Sequence, residues 1–246
     1  TNELPQKQLV ADSFGRAAAH YDDVAILQRQ TGDELLDRLD LVKIQPQRIV
    51  DLGVGTGRNL SLLQPRYPNA QLIAVDIATE MLQHARQSYR QHQGLKRWLP
   101  NIKKPLYLAG DAEQLPLADN SVDLVPRSVS LRNMTEVEKS LTDMFSCLKP
   151  GGRLICLEFS TPVLWLKPFY DFYSWAVIPR LGAFVAREPA AYQYLIESIR
   201  DFPEQDALAS IIEQAGFVNT RYQNLSFGIP CLHTASLPLN SYSVLP

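Results

Sequence analysis

Cysteine is scarce in this chain of 246 residues. Cys147, Cys156 and Cys231 are odd in number and widely spaced, which excludes a disulfide framework and makes a reducing, cytoplasmic setting the expectation. Four histidines, His20, His84, His92 and His233, are scattered without a cysteine or acid at ligand spacing, so no metal site is expected. Neither sign of charge is in excess. Against 26 Asp and Glu stand 24 Lys and Arg, a net charge of −2, and nothing draws the chain onto a nucleic-acid backbone. The opening Thr-Asn-Glu-Leu-Pro lacks the basic region and apolar core of a signal peptide. The most aromatic stretch, 163–186, is broken by Lys167, Pro168, Asp171, Pro179 and Arg180, too often for a membrane-spanning helix of ~20 apolar residues. What remains is ordinary globular composition, 46% apolar and 20% charged, with length for one large domain.

Strand-like and helix-like runs alternate from position 30 to 160, the pattern of a parallel sheet with helices on both faces. Strands are expected at 48–52, 71–75, 105–110, 121–126 and 153–159. Helix faces follow at Met81-Leu82, Ala85 and Tyr89, and at Val137, Leu141, Met144-Phe145 and Leu148. Lys149-Pro-Gly-Gly152 reads as a stop and turn into the next strand. A helix over Leu208, Ile211-Ile212 and Ala215, closed by Gly216, precedes two strands near 217–224 and 228–234 that close the sheet as an antiparallel hairpin. The expected organisation is one domain over 1–234, with a helical cap in 1–45, an inserted cap over 163–200 and a loosely held tail from 235 to 246. Seven aromatics, Trp165 to Phe184, crowd 20 positions of that insertion, which suits either the lining of a large apolar substrate or a helix pair on the sheet edge. The basic segment 93–104 reads as a solvated connection.

The chemistry is concentrated where the first apolar run ends. Arg48-Ile-Val-Asp-Leu-Gly-Val-Gly-Thr-Gly57 places three alternating glycines after an acid, a strand feeding a turn whose backbone a ligand approaches closely. The spacing is G-x-G-x-G, without the room for a pyrophosphate that G-x-G-x-x-G marks. A second apolar run ends in Asp76, 19 residues after Gly57, where a carboxylate accepts both ribose hydroxyls of a nucleoside. The two features imply S-adenosylmethionine rather than NAD, and both resemble those of class I methyltransferases. Their Rossmann-like fold has seven strands, mostly parallel with a C-terminal antiparallel hairpin, and helices on both faces.

In such a sheet the ligand sits at the carboxyl ends of the strands. Gly53, Gly55, Thr56 and Gly57 are expected at the methionine and ribose part, with Asp51 ordering the turn. Asp76 takes the ribose, and Ile77 and Met81 pack near the adenine. Asp111 and Ala112 fit the adenine amino group, although Asp111 also reads as a helix N-cap. Ser128-Val-Ser-Leu-Arg-Asn133 falls where cofactor and substrate meet. Arg132 there suits a substrate carboxylate or a phenolate, but in an ordinary loop it would be a surface salt bridge. Tyr21, in Phe14-Gly-Arg-Ala-Ala-Ala-His-Tyr-Asp22, covers the cofactor, bonds a substrate oxygen, or packs on the sheet.

The back half, 128–233, resembles the quinone C-methyltransferases of ubiquinone and menaquinone biosynthesis. The resemblance lies in Ser128, Leu131-Arg-Asn133, Leu148-Lys-Pro-Gly-Gly-Arg153, Leu157-Glu-Phe-Ser160, Tyr173-Ser174, Pro179-Arg-Leu-Gly182 and Tyr194-Leu-Ile-Glu-Ser-Ile-Arg200. The front half, 8–125, looks more like the malonyl-carrier-protein O-methyltransferases of biotin synthesis, in Phe14-Gly-Arg-Ala17, His20-Tyr21, Leu27-Gln-Arg-Gln30, Trp98-Leu-Pro100 and Gly110-Asp-Ala-Glu-Gln-Leu-Pro-Leu-Ala118. The quinone resemblance implies cofactor contacts at Thr56, Asp76, Asp111, Ala112 and Ser128, chemistry at Tyr21, Asp111 and Arg132, and a lipid quinol as substrate. A homodimer and peripheral contact with the inner membrane are left open. Pro126-Arg127 fits neither family, and a proline in a central strand predicts that the fourth strand ends or distorts at Val125. A quinol C-methyltransferase is therefore the expectation; the alternatives are a malonyl O-methyltransferase and an inactive adenosylmethionine-binding module.

Overall fold

The computed structural model describes residues 26–39, 44–94, 103–128, 131–162, 165–172 and 197–239. Seven strands form one sheet in the order β3-β2-β1-β4-β5-β7-β6. They are β1 (Arg48–Leu52), β2 (Gln71–Asp76), β3 (Leu106–Ala109), β4 (Val122–Ser128), β5 (Leu148–Phe159), β6 (Val218–Asn224) and β7 (Pro230–Ser236). The first five pair in parallel, and β7 runs antiparallel to both β5 and β6. Near-continuous apolar runs such as Leu72-Ile-Ala-Val75 suit strands that are covered on both faces, where alternate side chains meet different helices.

Helices α1 (Ile26–Leu39), α2 (Arg58–Arg66) and α3 (Thr79–Gln93) cover one face. Leu35, Leu39, Leu60, Leu63, Leu82 and Ala85 pack there on Ile49, Leu72, Leu124 and Leu157. On the other face, α4 (Val137–Cys147) and α6 (Gln205–Gln214) bring Leu141, Met144, Leu208 and Ile212 onto Val50, Val75, Val125 and Leu154. A short helix, α5 (Lys167–Phe172), lies in the aromatic segment. The chain moves outward from β1 through β2 to β3, then returns to the other side of β1 with β4. That reversal opens a crevice at the carboxyl ends of β1 and β4.

Three expectations are revised. Pairing of β4 with β5 continues past Pro126 through Arg127↔Cys156 to Ser128↔Leu157, so the strand does not end at Val125. Its registered pairing with β1 is confined to Ile49↔Leu124, and extending that register puts the missing proline donor opposite Asp51. Lys149-Pro-Gly-Gly152 is a bulge inside β5 instead of a turn before it: the register jumps from Val122↔Leu148 to Leu124↔Arg153, and Gly151 takes φ 77°. Finally, β7 extends to Ser236, and Ala235 and Leu237 are buried, the latter exchanging backbone hydrogen bonds with Gly151 and Gly152. The chain from 235 to 237 therefore belongs to the sheet.

Candidate active site

At the end of β1 the backbone bends toward β2, where the N–H groups of Gly53 and Val54 both donate to the Val75 carbonyl at 2.8 and 3.1 Å. Gly53, Gly55 and Gly57 all have positive φ, 66°, 53° and 81°, a conformation costly to residues with a Cβ. Their surroundings separate their roles. A Cβ on Gly55 would meet nothing within 4 Å, whereas one on Gly57 would lie 2.6 Å from the Ala85 Cβ and 2.7 Å from its Cα. Gly55 borders the open crevice, and Gly57 lets α2 approach α3.

Asp76 fastens this turn. Its Oδ2 accepts the Gly55 N–H and its Oδ1 the Ala78 N–H, each at 2.9 Å. Burial raises its carboxyl above the ordinary value, while hydrogen bonds from Ala78, Gly55 and Ile77 oppose the shift. An ionised carboxylate offers about four lone-pair sites, so each oxygen retains capacity for a further donor. Beside it, Ile77 is 40% exposed and presents an apolar surface to the crevice rim. Met81 is only 1% exposed and offers a ligand almost no surface of its own. Asp51 is also buried. Desolvation pushes its carboxyl up to about 7 against the pull of Arg127 and a hydrogen bond from Asn59. Its Oδ2 has no hydrogen-bond partner among the described residues.

After β3, Asp111 Oδ1 accepts the Glu113 N–H at 2.9 Å and the Gln114 N–H reaches the Asp111 carbonyl at 3.1 Å. This is a side-chain-stabilised turn with no helix following, which revises the N-cap reading. Ala112 is nearly buried, and its carbonyl accepts the Ser140 hydroxyl at 2.9 Å. Thr56 is nearly buried as well. Ser128 ends β4 on the α1 face, with its Oγ 3.9 Å from where a Cβ on Gly32 would stand. That oxygen has no hydrogen-bond partner among the described residues.

Arg132 lies on a single 3₁₀ turn, Leu131–Asn133, and its side chain is 5% exposed, so it is no surface salt bridge. One guanidinium nitrogen stands 3.6 Å from Glu158 Oε2, Nε donates to the Ser198 Oγ at 3.2 Å, and the Phe159 ring centroid lies 5.6 Å away. Glu158 also accepts the Leu131 N–H on Oε1 at 2.6 Å, gripping backbone and side chain of successive residues. Next door, Glu113 Oε1 accepts the N–H groups of Thr135 and Glu136 and fixes the entry to α4. Arg127 is wholly buried; desolvation depresses its pKa, and Cys156, Glu158 and Asp51 oppose that shift. Its three guanidinium nitrogens have no hydrogen-bond partner among the described residues.

The sheet thus gathers Asp51, the glycine turn, Asp76, Ile77, Asp111, Ala112, Ser128 and Arg132 along one edge. Tyr21, Val129 and Ser130 lie outside the described residues, as do most of the 1–45 cap and the aromatic insertion. Sequence reasoning gave neither Glu113 nor Glu158 a role of its own; both appeared only as letters of family motifs. Partnership with Arg132 emerges only when β5 is set beside the turn that follows β4.

The family model for the ubiE/COQ5 methyltransferase family matches residues 4–236. The chain belongs to that family. The match runs through both halves, including the front half with its biotin-pathway likeness. Among its relatives, the ubiquinone/menaquinone biosynthesis C-methyltransferase UbiE of Rubrivivax gelatinosus is 40% identical over 238 residues, covering 96% of this chain and 89% of the relative. The protein of the same name from Legionella pneumophila strain Corby is 41% identical over 241 residues, covering 95% and 92%. The fold is that of class I methyltransferases. A Thermotoga maritima S-adenosylmethionine-dependent methyltransferase superposes with TM-score 0.63 at 19% identity, covering 91% of this chain and 97% of its own. A Burkholderia thailandensis O-methyltransferase family protein gives TM-score 0.63 at 15% identity, covering 92% and 60%.

The chain is an S-adenosylmethionine-dependent methyltransferase. The crevice fits that cofactor on three counts: open space at Gly55, the retained acceptor capacity of Asp76, and the buried, unpartnered oxygens of Asp51 and Ser128. Among the described residues no helix is long and apolar enough to cross a membrane, and no His, Cys, Asp and Glu cluster could hold a metal.

Proposed function

We propose that the chain methylates a ring carbon of a prenylated hydroquinone in ubiquinone or menaquinone biosynthesis. The observation that carries this reading is the buried guanidinium of Arg132, held beside the adenosine-type crevice in a chain about 40% identical to quinone-pathway C-methyltransferases along nearly all its length. In this reading Gly53, Gly55 and Thr56 hold the methionine end, Gly57 lets α2 close on α3 behind them, Asp51 orders their turn, and Ser128 closes the site. Asp76 binds the ribose, Ile77 flanks the adenine with Met81 supporting from beneath, and Asp111 and Ala112 meet its amino group.

When bound, S-adenosylmethionine supplies a methyl group already activated on a sulfonium. The protein's task is to make the ring carbon electron-rich and keep it aligned. Only the reduced ring has a hydroxyl whose ionisation places electron density on the neighbouring carbon. Arg132 stabilises that phenolate, with Tyr21 and Asp111 at the substrate oxygens, and the methylated carbon finally releases its hydrogen as a proton. The aromatic insertion receives the prenyl tail. Contact with a membrane surface belongs to the same proposal: Trp165, Phe169 and Phe227 are 64%, 70% and 64% exposed, and the first and last meet edge to face at 5.7 Å.

The test offers a short-chain prenylated hydroquinone, its oxidised quinone and malonyl-carrier protein at equal concentration, with labelled methyl donor and mass spectrometry of the products. Label on a ring carbon of the hydroquinone alone is expected. A labelled malonyl ester beside an untouched hydroquinone overturns the proposal.

A further inference from the structure

Arg132 is held from β5 and also from a segment remote in the chain. On the β5 side, Glu158 Oε2 stands 3.6 Å from one terminal nitrogen, and the Phe159 ring centroid lies 5.6 Å from the guanidinium carbon. Both neighbours are fixed by the strand that carries them. The remote contact spans 66 positions of sequence: Nε of Arg132 donates to Ser198 Oγ at 3.2 Å. Residues 197–201 are helical, and the next residue along, Ile199, packs on Phe159. Two successive side chains of this helical segment thus meet the guanidinium and the ring beside it.

A guanidinium is planar, and its N–H donors diverge in a rigid fork, so the direction of the Nε–H fixes where the terminal donors point. An ion pair through one terminal nitrogen leaves the plane able to swing about that contact. A hydrogen bond at Nε removes the swing. We propose that Ser198 is a positioning residue for the methyl transfer: it accepts the Nε–H of Arg132 and holds the guanidinium plane in the orientation that meets the ionising substrate oxygen. This rests on the reading of Arg132 given above. A donor already aimed at the developing charge spends nothing on reorientation when the substrate oxygen ionises. The chemistry of the acceptor matters too. A serine hydroxyl is uncharged, so it orients the guanidinium without neutralising it as a second carboxylate would.

The test compares S198A, which removes the acceptor, with S198T, which restores it, and takes R132Q as the reference for loss of the charge. With a short-chain prenylated hydroquinone and S-adenosylmethionine, kcat of S198A is expected to fall about tenfold while KM for the hydroquinone stays within about twofold, the pattern of a contact that counts only in the transition state. S198T should return kcat to within about threefold of the parent. Affinity for S-adenosylhomocysteine, measured by calorimetry, should match the parent in every variant. A second readout needs no turnover. In nitrogen-15 spectra the Arg132 Nε–H, identified by its loss in R132Q, should exchange with water about tenfold faster in S198A than in the parent, and be protected again in S198T. Parental turnover or parental exchange in S198A overturns the proposal, as does an S198T as slow as S198A. A loss of cofactor affinity or a rise in KM as large as the loss of rate makes Ser198 a structural residue and overturns it equally. If R132Q itself turns over at the parental rate, the reading of Arg132 falls, and this proposal with it.

Discussion

The two halves of the sheet edge hold their buried carboxylates by different means. On the β1–β2 side, Asp76 is fixed by backbone N–H groups from Gly55 and Ala78, so its position follows from the path of the main chain. On the β4–β5 side, Glu158 accepts the Leu131 N–H and pairs with the Arg132 guanidinium, and the buried Arg127 pairs with Cys156 two positions before it on the same face. The first half is a rigid receptacle whose charge is set by local geometry. The second is a balance of side-chain charges, which a substrate losing a proton can use because its energy changes when one more charge arrives.

The largest effect that would sharpen this contrast is on Asp76. Asp76→Ala removes the proposed acceptor of two ribose hydroxyls, each such hydrogen bond contributing ~1.5–3 kcal/mol, and cofactor affinity should fall by about two orders of magnitude or more. It also strands the Gly55 and Ala78 N–H groups, so the variant should melt below the parent. Titration calorimetry and a melting curve check both, and unchanged affinity would remove the nucleoside role. Arg132→Gln should act differently. Turnover is expected to drop roughly 100-fold while cofactor affinity holds, because the charge is needed only when the substrate oxygen ionises. Equal losses in turnover and cofactor binding would erase the distinction between the halves.

The same contrast governs what could be read from the sequence. The β1 and β2 ends were legible because a strand, a glycine turn and an acid at a fixed spacing are local features whose geometry the backbone dictates. Even there, Gly57 looked like part of the cradle, and only the approach of Ala85 from α3 shows that it serves helix packing. The second half depends on residues distant in the chain, Arg127, Arg132 and Glu158, converging across β4 and β5. Pro126 illustrates the limit well: its missing donor suggested that the strand ends or distorts at Val125, and β5 pairing continues past it while registered pairing with β1 is confined to Ile49↔Leu124. Composition and spacing do not tell on which side of a central strand such a gap falls.

Substituting the glycines one at a time sharpens the receptacle itself. Gly57→Ala drives a Cβ against Ala85 and adds left-handed strain, and overpacking with such strain costs about 2–4 kcal/mol. Gly55→Ala meets open space and should cost about 1 kcal/mol of stability from its φ alone, while weakening cofactor binding by filling the crevice. Thermal melts without ligand, paired with calorimetry, should therefore rank the two variants in opposite orders. A Gly55→Ala protein that melts as early as Gly57→Ala would show that the turn tolerates no separation of the two roles.

The last test concerns Asp51, where the two halves meet. Its carboxyl titrates at about 7 in the folded chain against 3.8 for the free group, chiefly because burial disfavours the charged form. Between those values the folded protein holds a proton that the unfolded chain releases, so this group's contribution is complete below pH 3.8 and is lost as pH rises through about 7. Asp51→Asn keeps the shape and cannot ionise. It should change stability little just below pH 3.8 and raise the melting temperature, relative to the parent, at pH 8, where the parent must bury a charge. Arg127 sets the size of the gain, because its positive charge offsets part of that burial cost. In an Arg127→Met background the advantage of Asp51→Asn at pH 8 should therefore grow. Paired melting curves at the two pH values decide the matter: an advantage independent of pH would mean that Asp51 stays ionised throughout, and one left unchanged without Arg127 would mean that the two side chains do not sense each other's charge.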